Sequence, residues 1–252
     1  FHRFIIPRGC HWEDVRNRTS DIGQALHYSL TEIEKCNPDT LYGIFGDAQW
    51  TNKDRLSDSL LRDLIDHFSR LRLRNSDVDA DIMGLAYEYL IEKFADATNK
   101  KAGEFYTPRS VVRLMVDILD PQPDETIYDP ACGSGGMFAQ SAKFVEAHRK
   151  RPSEELAAFG QEKTAETIKI AKMNLAISGF SGVIKGGNSY YDDEHRATGK
   201  FDFVMANPPF NASGVDKERI KDDKKRFPFG MPSTDNANYL WIQLFYSALN
   251  ET

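Results

Sequence analysis

Long hydrophobic runs are missing from this sequence. No stretch approaches the ~20 consecutive apolar residues of a bilayer-spanning helix. Phe4-Ile5-Ile6 is too short for the apolar core of a secretory signal and is cut off by Pro7, so no export signal is expected. The first residue is Phe, not Met, which reads as a fragment or a chain with an upstream start. Cysteine is scarce. Cys10, Cys36 and Cys132 are odd in number and widely spaced, which argues against a disulfide framework and for a reducing, cytoplasmic setting. A metal site from Cys10, His11 and Cys36 lacks the CxxC pair such sites use, and no metal is expected. Excess positive charge is lacking too: 32 Lys and Arg stand against 38 Asp and Glu, a net charge of −6. A protein that grips nucleic acid unaided usually presents a basic face. The basic clusters here are local (Arg70, Arg72, Arg74; Arg149 to Arg151; Lys217 to Arg226), and each reads first as a solvated face.

What is present divides in two. Residues 1–98 have helical spacing, with Leu60, Leu64 and Phe68 on one stripe and Leu61 and Ile65 beside it. Ile82, Leu85, Tyr89, Leu90 and Phe94 suggest another helix, and Gly43, Gly46 and Asn52 punctuate the loop before the first. A polar linker at 97–104 leads into a second domain, 99–252. There Thr107 suits an N-cap and Pro108 a first helical position. A helix then runs through Val111, Val112, Met115, Val116 and Leu119 to Asp120-Pro121. Strand–helix alternation follows, the pattern of an α/β sheet. Strands are expected at 126–128, 157–160, 183–184 and 201–206, and helices at 136–150, 164–178 and 238–249.

The chemistry-bearing residues fall just after these strands. Asp129-Pro130-Ala131-Cys132-Gly133-Ser134-Gly135-Gly136 is a glycine-rich turn between strand and helix, where backbone can approach a ligand closely. Its plain alternative is a tight turn and nothing more. No Lys-Ser/Thr follows the glycines, which excludes a phosphate-cradling P-loop. Glu162 ends the next strand, where a carboxylate can accept hydrogen bonds from both hydroxyls of a ribose; a surface charge is the rival reading. Asn188, after Gly186-Gly187, could read an adenine ring or simply tolerate a turn. Asn207-Pro208-Pro209-Phe210 follows the last strand. It offers an amide oxygen, a carbonyl held by fixed proline φ, and an aromatic face. An exocyclic amine on a planar ring is a poor nucleophile because its lone pair is delocalised. Two acceptors, Asn207 Oδ1 and the Pro208 carbonyl, draw its nitrogen toward tetrahedral geometry, and the localised lone pair can attack an electrophilic methyl. Phe210 can stack on such a base once it is out of the duplex. No catalytic His or Cys is apparent.

With these residues the chain resembles DNA adenine-N6 methyltransferases that use S-adenosylmethionine. It is similar in particular to the modification subunits of type I restriction-modification systems. Gly103 to Arg109, Asp129 to Phe138, Gly160-Gln161-Glu162, Phe201 to Asn211, Asn236 to Gln243 and Gly46-Asp47-Ala48-Gln49-Trp50 carry the resemblance. It implies a Rossmann-like methyltransferase sheet after a helical N-terminal domain. That sheet normally has seven strands, and four are counted before Thr252, so a truncated catalytic domain is expected. The resemblance also implies roles. Glu104, Phe105, Tyr106, Thr107, Pro108 and Arg109 line the methionine end of the cofactor. Asp129, Ala131, Gly133, Ser134, Gly135 and Gly136 pack beneath it, with Asp129 toward its amino group. Glu162 holds the ribose, Asn188 the adenine, and Asn207 to Phe210 the target base. The implied partners are DNA, a specificity subunit, a restriction subunit that translocates and cuts, and a second copy of the chain. Three rivals share parts of this pattern: a cytosine-N4 methyltransferase, a protein glutamine methyltransferase, whose similar box ends in Tyr, and an inactive scaffold subunit.

Overall fold

A computed structural model describes residues 4–46, 48–71, 89–90, 93, 107–122, 124–149, 156–178, 182–233 and 235–251. The chain divides into two compact units between Ile82 and Met83, ahead of the polar linker at 97–104. That linker, and the expected helix positions Ile82, Leu85 and Phe94, lie outside the described residues.

The described part of the first unit is helical. It contains α1 (Trp12–Arg16), α2 (Ile22–Cys36), α3 (Pro38–Leu41) and α4 (Asp58–Ser69). Ser57 caps α4 by accepting a bond from the Leu60 N–H (3.2 Å). Asp58 accepts from the N–H groups of Asp21 and Ile22 (both 3.1 Å), which fastens the start of α4 to the start of α2. The small core is Val15, Ile22, Leu61 and Ile65, with Leu26, Trp50 and Leu56 against it. This corrects the expected stripe. Leu61 and Ile65 face inward, whereas Leu60, Leu64 and Phe68 are exposed. The five apolar residues cover a wider arc than one small partner helix can bury, and the Asp58 bonds decide which edge turns inward. Gly23 sits where α2 meets the loop before α4, and a Cβ there would lie 1.9 Å from the Trp50 carbonyl oxygen.

The second unit is a parallel sheet with helices. Its elements run α5 (Arg109–Leu119), β1 (Thr126–Asp129), α6 (Gly136–Arg149), β2 (Ala157–Glu162), α7 (Ala165–Ser178), β3 (Gly182–Gly186), β4 (Phe203–Val204), a 3₁₀ turn (Lys217–Arg219) and α8 (Asn238–Ala248). The strand order is β3-β2-β1-β4, every pair parallel. The chain therefore winds outward from β1 in one direction and then crosses to its other side, which creates a topological switch between β1 and β4. Open α/β sheets bind ligands outside the strand carboxyl ends at such a point. The main core joins sheet to helices through Val112, Val116, Ile127, Phe138, Leu156, Ala158, Leu175 and Ile184.

Most expected bounds shift by one or two positions, and two of the differences bear on the site. The helix after Pro108 begins at Arg109, with Pro108 in the extended N-cap position, so Thr107 is not the cap. The last strand is short: Phe203–Val204 pair with Ile127 and Tyr128, and Phe201 makes an isolated bridge to Leu249. At Asp202 the backbone N–H donates to the Thr126 hydroxyl oxygen (3.2 Å) and not to a strand carbonyl, and the carboxylate accepts from the Thr126 N–H (2.8 Å), the Thr126 hydroxyl (2.7 Å) and the Asn250 amide (2.7 Å). Burial raises the Asp202 pKa, but these donors outweigh it and hold the carboxyl below the usual range. After Met205, whose N–H still donates to Tyr128 O (3.0 Å), Pro208 and Pro209 have no N–H to continue a ladder.

Candidate active site

Residues at or beyond the carboxyl ends of all four strands line one cleft. Pro130 directly follows β1, Glu162 ends β2, Gly187 directly follows β3, and Pro209 lies five residues beyond β4; Ala131, Gln161, Asn188, Ser189, Tyr190 and Trp241 complete most of the wall. The cavity volume is about 70 Å³. A hydrogen bond from the Ser189 hydroxyl to Pro130 O links the loops after β3 and β1. Arg226 supports that link by donating to Ser189 O (3.1 Å) while paired with Asp223 (2.6 Å).

The glycine-rich turn is built from backbone. Cys132 N–H donates to Gln161 O (3.1 Å), and Gly135 N–H to Cys132 O (2.8 Å). The buried Asn174 amide donates to Ser134 O (3.2 Å). Gly133 and Gly135 have φ of +52° and +75°, the left-handed region that glycine enters without strain. Gly136 then opens α6. Gly160 on β2 is required by packing: a Cβ there would come within 2.6 Å of Ile184 Cδ1 and 2.8 Å of Cys132 Sγ.

Asp129 is 2% exposed and accepts a bond from the Ala131 N–H (2.9 Å). Burial pushes its pKa up to about 8, the Ala131 bond works against this, and the nearby Glu162 adds to the rise. A carboxyl so placed has a poorly compensated charge, and a cationic ligand group beside it would compensate it. Glu162 Oε1 accepts from the Thr164 N–H (2.9 Å), so the side chain is fixed at the cleft edge with acceptor capacity remaining. Asn188 Oδ1 accepts from the Tyr190 N–H (3.2 Å), and its own N–H donates to Asp192 (2.9 Å). Its carbonyl group is thus committed to a local turn while the residue stays on the cleft wall.

Asn207 and Thr107, a hundred positions apart in sequence, are joined: Asn207 Nδ2 donates to Thr107 Oγ1 (3.2 Å). The bond turns the amide so that Oδ1 is its remaining acceptor. Thr107, expected as a helix cap, therefore orients the amide of the proline box. Phe210 is 71% exposed. The sheet brings together Ala131, Glu162, Asn188 and Pro209 on the cleft wall, with Asn207 two residues from Pro209; Asp129 is buried behind the wall, and Gly133, Ser134, Gly135 and Gly136 do not line the cleft. Glu104, Phe105 and Tyr106 lie outside the described residues, as does the side chain of Arg109. Sequence reasoning gave no role to Gln161, Tyr190 or Trp241. Trp241 lies in the quoted Asn236 to Gln243 stretch, but only the fold shows that this helix closes the cleft. His195, by contrast, is buried and bonded through Nε2 to Gly160 O (2.8 Å), with its pKa lowered by burial; its place is structural.

A parallel sheet switched between its first and fourth strands, with a glycine turn, an acidic residue after the second strand and a loop box after the fourth, defines a Rossmann-like methyltransferase. The fold matches a putative class I S-adenosylmethionine-dependent methyltransferase from Listeria monocytogenes with a TM-score of 0.60 at 13% identity, over 94% of this chain and 69% of that one. It matches a type I restriction-modification methyltransferase subunit from Streptococcus thermophilus with a TM-score of 0.82 at 25% identity, over 98% of this chain and 54% of that one. The chain belongs to the N-6 DNA methylase family, whose model matches residues 78–252. It is 36% identical over 251 residues to the type I restriction enzyme MjaIX methylase subunit of Methanocaldococcus jannaschii, covering 95% of this chain and 43% of that one. It is 35% identical over 232 residues to the HindI methylase subunit of Haemophilus influenzae, covering 89% and 51%. The chain thus spans about half the length of the curated relatives it matches. Among the described residues, no helix is long and apolar enough to cross a membrane.

Proposed function

We propose that the protein transfers a methyl group from S-adenosylmethionine to N6 of adenine in DNA, as the methylase subunit of a type I restriction-modification complex. The observation that carries this reading is the Asn207–Thr107 bond, which leaves Oδ1 as the acceptor of a box whose Pro209 lies on the cleft wall. Asn207 Oδ1 and the Pro208 carbonyl accept the two N–H bonds of the target amine. That withdraws its lone pair from the ring and makes the nitrogen nucleophilic. Phe210, exposed beside them, supplies a stacking face for a base removed from the duplex. No general base is required to generate the nucleophile, and the amine's proton leaves to water after transfer.

The residues around the cleft suit the cofactor. Among the described residues, the buried side-chain polar atoms without a protein partner are Gln161 Oε1, Tyr190 OH and Trp241 Nε1, and all three residues belong to the wall of this cleft. Each such group costs about 1–3 kcal/mol while unsatisfied. A purine nucleoside carries donors and acceptors to match them. Glu162 would hold the ribose hydroxyls, Asn188 the adenine ring, and Asp129 the cationic amino group. Ala131, Gly133, Ser134, Gly135 and Gly136 would let the backbone approach. Thr107, with Glu104, Phe105, Tyr106, Pro108 and Arg109, would close the methionine end. When bound, S-adenosylmethionine supplies a methyl group on a positively charged sulfur.

The net charge of −6 supports a division of labour in which a specificity subunit supplies most phosphate contacts and chooses the site. A restriction subunit and a second copy of the methylase complete the proposed assembly. The three unpaired cysteines suit a reducing cytoplasm. The test is methyl transfer to DNA by the methylase with its specificity subunit, followed by digestion to nucleosides. N6-methyladenosine should appear, and Asn207→Ala should reduce it by several orders of magnitude while the cofactor still binds. N4-methylcytosine, methylated protein alone, or full transfer by Asn207→Ala would each overturn the reading.

A further inference from the structure

We propose that Asn211, Asn236 and Asn238 form a clamp that positions the Asn207–Phe210 box for the transfer step. This inference rests on the reading of that box as the seat of the target base. The box must hold a reacting amine in one geometry, yet its surroundings are poorly suited to holding it. Between Met205 and Asp216 the backbone has no helix or strand. Two of its residues are prolines without N–H groups, and Phe210 is too exposed for packing to fix it.

The chain leaves the box through Asn211, which stands at φ +53°, a left-handed conformation that asparagine tolerates better than most residues. Asn211 N–H donates to Asn238 Oδ1 (2.9 Å), which leaves Asn238 Nδ2 to donate back to Asn211 Oδ1 (3.2 Å). Asn238 N–H donates to Asn236 Oδ1 (2.9 Å), which leaves Asn236 Nδ2 to donate to the same Asn211 Oδ1 (3.1 Å). Backbone donors at both ends thus dictate all three amide orientations. Ala237 N–H adds a bond to Ala212 O (2.9 Å).

The other half of the clamp is rigid. Asn238 opens α8, and Leu240, Trp241 and Leu244 of that helix are buried with Tyr190, Ile220 and Phe227. The entry to the box is held by Met205 and by the Asn207–Thr107 bond, and its exit by the asparagines. None of the three asparagines contacts the reacting atoms; they are positioning residues. Solvent-exposed hydrogen bonds of this kind add little to global stability, so their loss should be read in the rate. A misplacement of about 1 Å at a reacting centre costs on the order of 100-fold.

The experiment uses the methylase assembled with its specificity subunit, on DNA with one target site. Asn238→Ala removes both arms of the clamp at the helix. Asn211→Gly keeps the left-handed backbone but removes the side chain. Both should lower kcat by ~10- to 100-fold, with melting temperature and cofactor affinity unchanged. With 2-aminopurine in place of the target adenine, both should also lose much of the fluorescence rise that reports an unstacked base. Asn238→Asp, which keeps the acceptor for Asn211 N–H, should fall between them and the parent. The proposal is overturned if both variants keep the parental kcat while Asn207→Ala abolishes transfer. It is equally overturned if rate, melting temperature and cofactor affinity fall together, since the asparagines would then only fold the loop. Retained transfer in Asn207→Ala would remove the reading of the box, and the clamp with it.

Discussion

At the scale of single residues, the site depends on groups held in states they would not adopt in water. Asp129 is the clearest. Burial first, and then Glu162, lift its pKa to about 8. The native state therefore retains a proton that the unfolded chain releases above about pH 4. Stability from this group is lost progressively as pH rises from about 4 to about 8. Asp129→Asn should accordingly raise the melting temperature at pH 8 more than at pH 5, as thermal denaturation at the two values will show. The carboxylate form is the one that attracts a cationic amino group, so cofactor affinity should tighten as pH rises toward about 8, above which an α-amino group loses its own charge. Calorimetry should find this dependence in the parent and not in Asp129→Asn. Thr107 allows a second prediction. Thr107→Val keeps the shape and removes the oxygen that orients Asn207, a bond worth roughly 1 kcal/mol. Single-turnover transfer should fall about tenfold, and an unchanged rate would show that the amide is oriented by something else.

At the scale of elements, the ends of strands carry the function and their interiors carry constraints that are easy to mistake for it. Gly160 lies in the middle of β2, outside the glycine-rich loop, and is there because Ile184, Cys132 and Phe138 occupy the space a Cβ would need. Gly160→Ala should destabilise the fold by about 1–3 kcal/mol, the usual cost of overpacking. Gly160→Ala with Ile184→Val should regain part of the lost melting temperature, because the closest clash, 2.6 Å, is with Ile184 Cδ1. In the sequence, the strands and helices of the second unit were legible from alternation and turn residues, and their bounds shift by only one or two positions. β4 was the exception. Its apolar run from Phe201 to Ala206 looks continuous, but Asp202 turns its carboxylate to Thr126 and Asn250, and no local pattern encodes partners that distant. The stripe on α4 failed for a related reason: the periodicity placed five apolar residues on one side without saying which edge would meet α2.

At the scale of the whole chain, the balance of charge bears on how it meets DNA. A net charge of −6 opposes association with a polyanion. On the proposed reading, this chain alone should bind duplex DNA weakly and with a shallow dependence on salt. The complex with a specificity subunit should bind tightly, with log affinity falling steeply against log salt concentration as phosphate contacts release counterions. Anisotropy titrations over a series of salt concentrations test this; tight, steeply salt-dependent binding by the methylase alone would refute the division of labour.

Local sequence is enough for the α/β class of the second unit, the helical character of the described part of the first, and the order of the glycine turn, Glu162 and the Asn-Pro-Pro-Phe box. These follow from local periodicity and from residue types whose backbone preferences act over a few positions. Which residues share the cleft follows from how the elements pack. The switch in strand order brings the ends of β1 to β4 together, sets Thr107 on Asn207, and places Tyr190 and Trp241 on the same wall. It also fastens Asn211 to the start of α8. Such pairings span from about 25 to 100 residues, and they arise from the packing of whole elements, which a local pattern cannot specify.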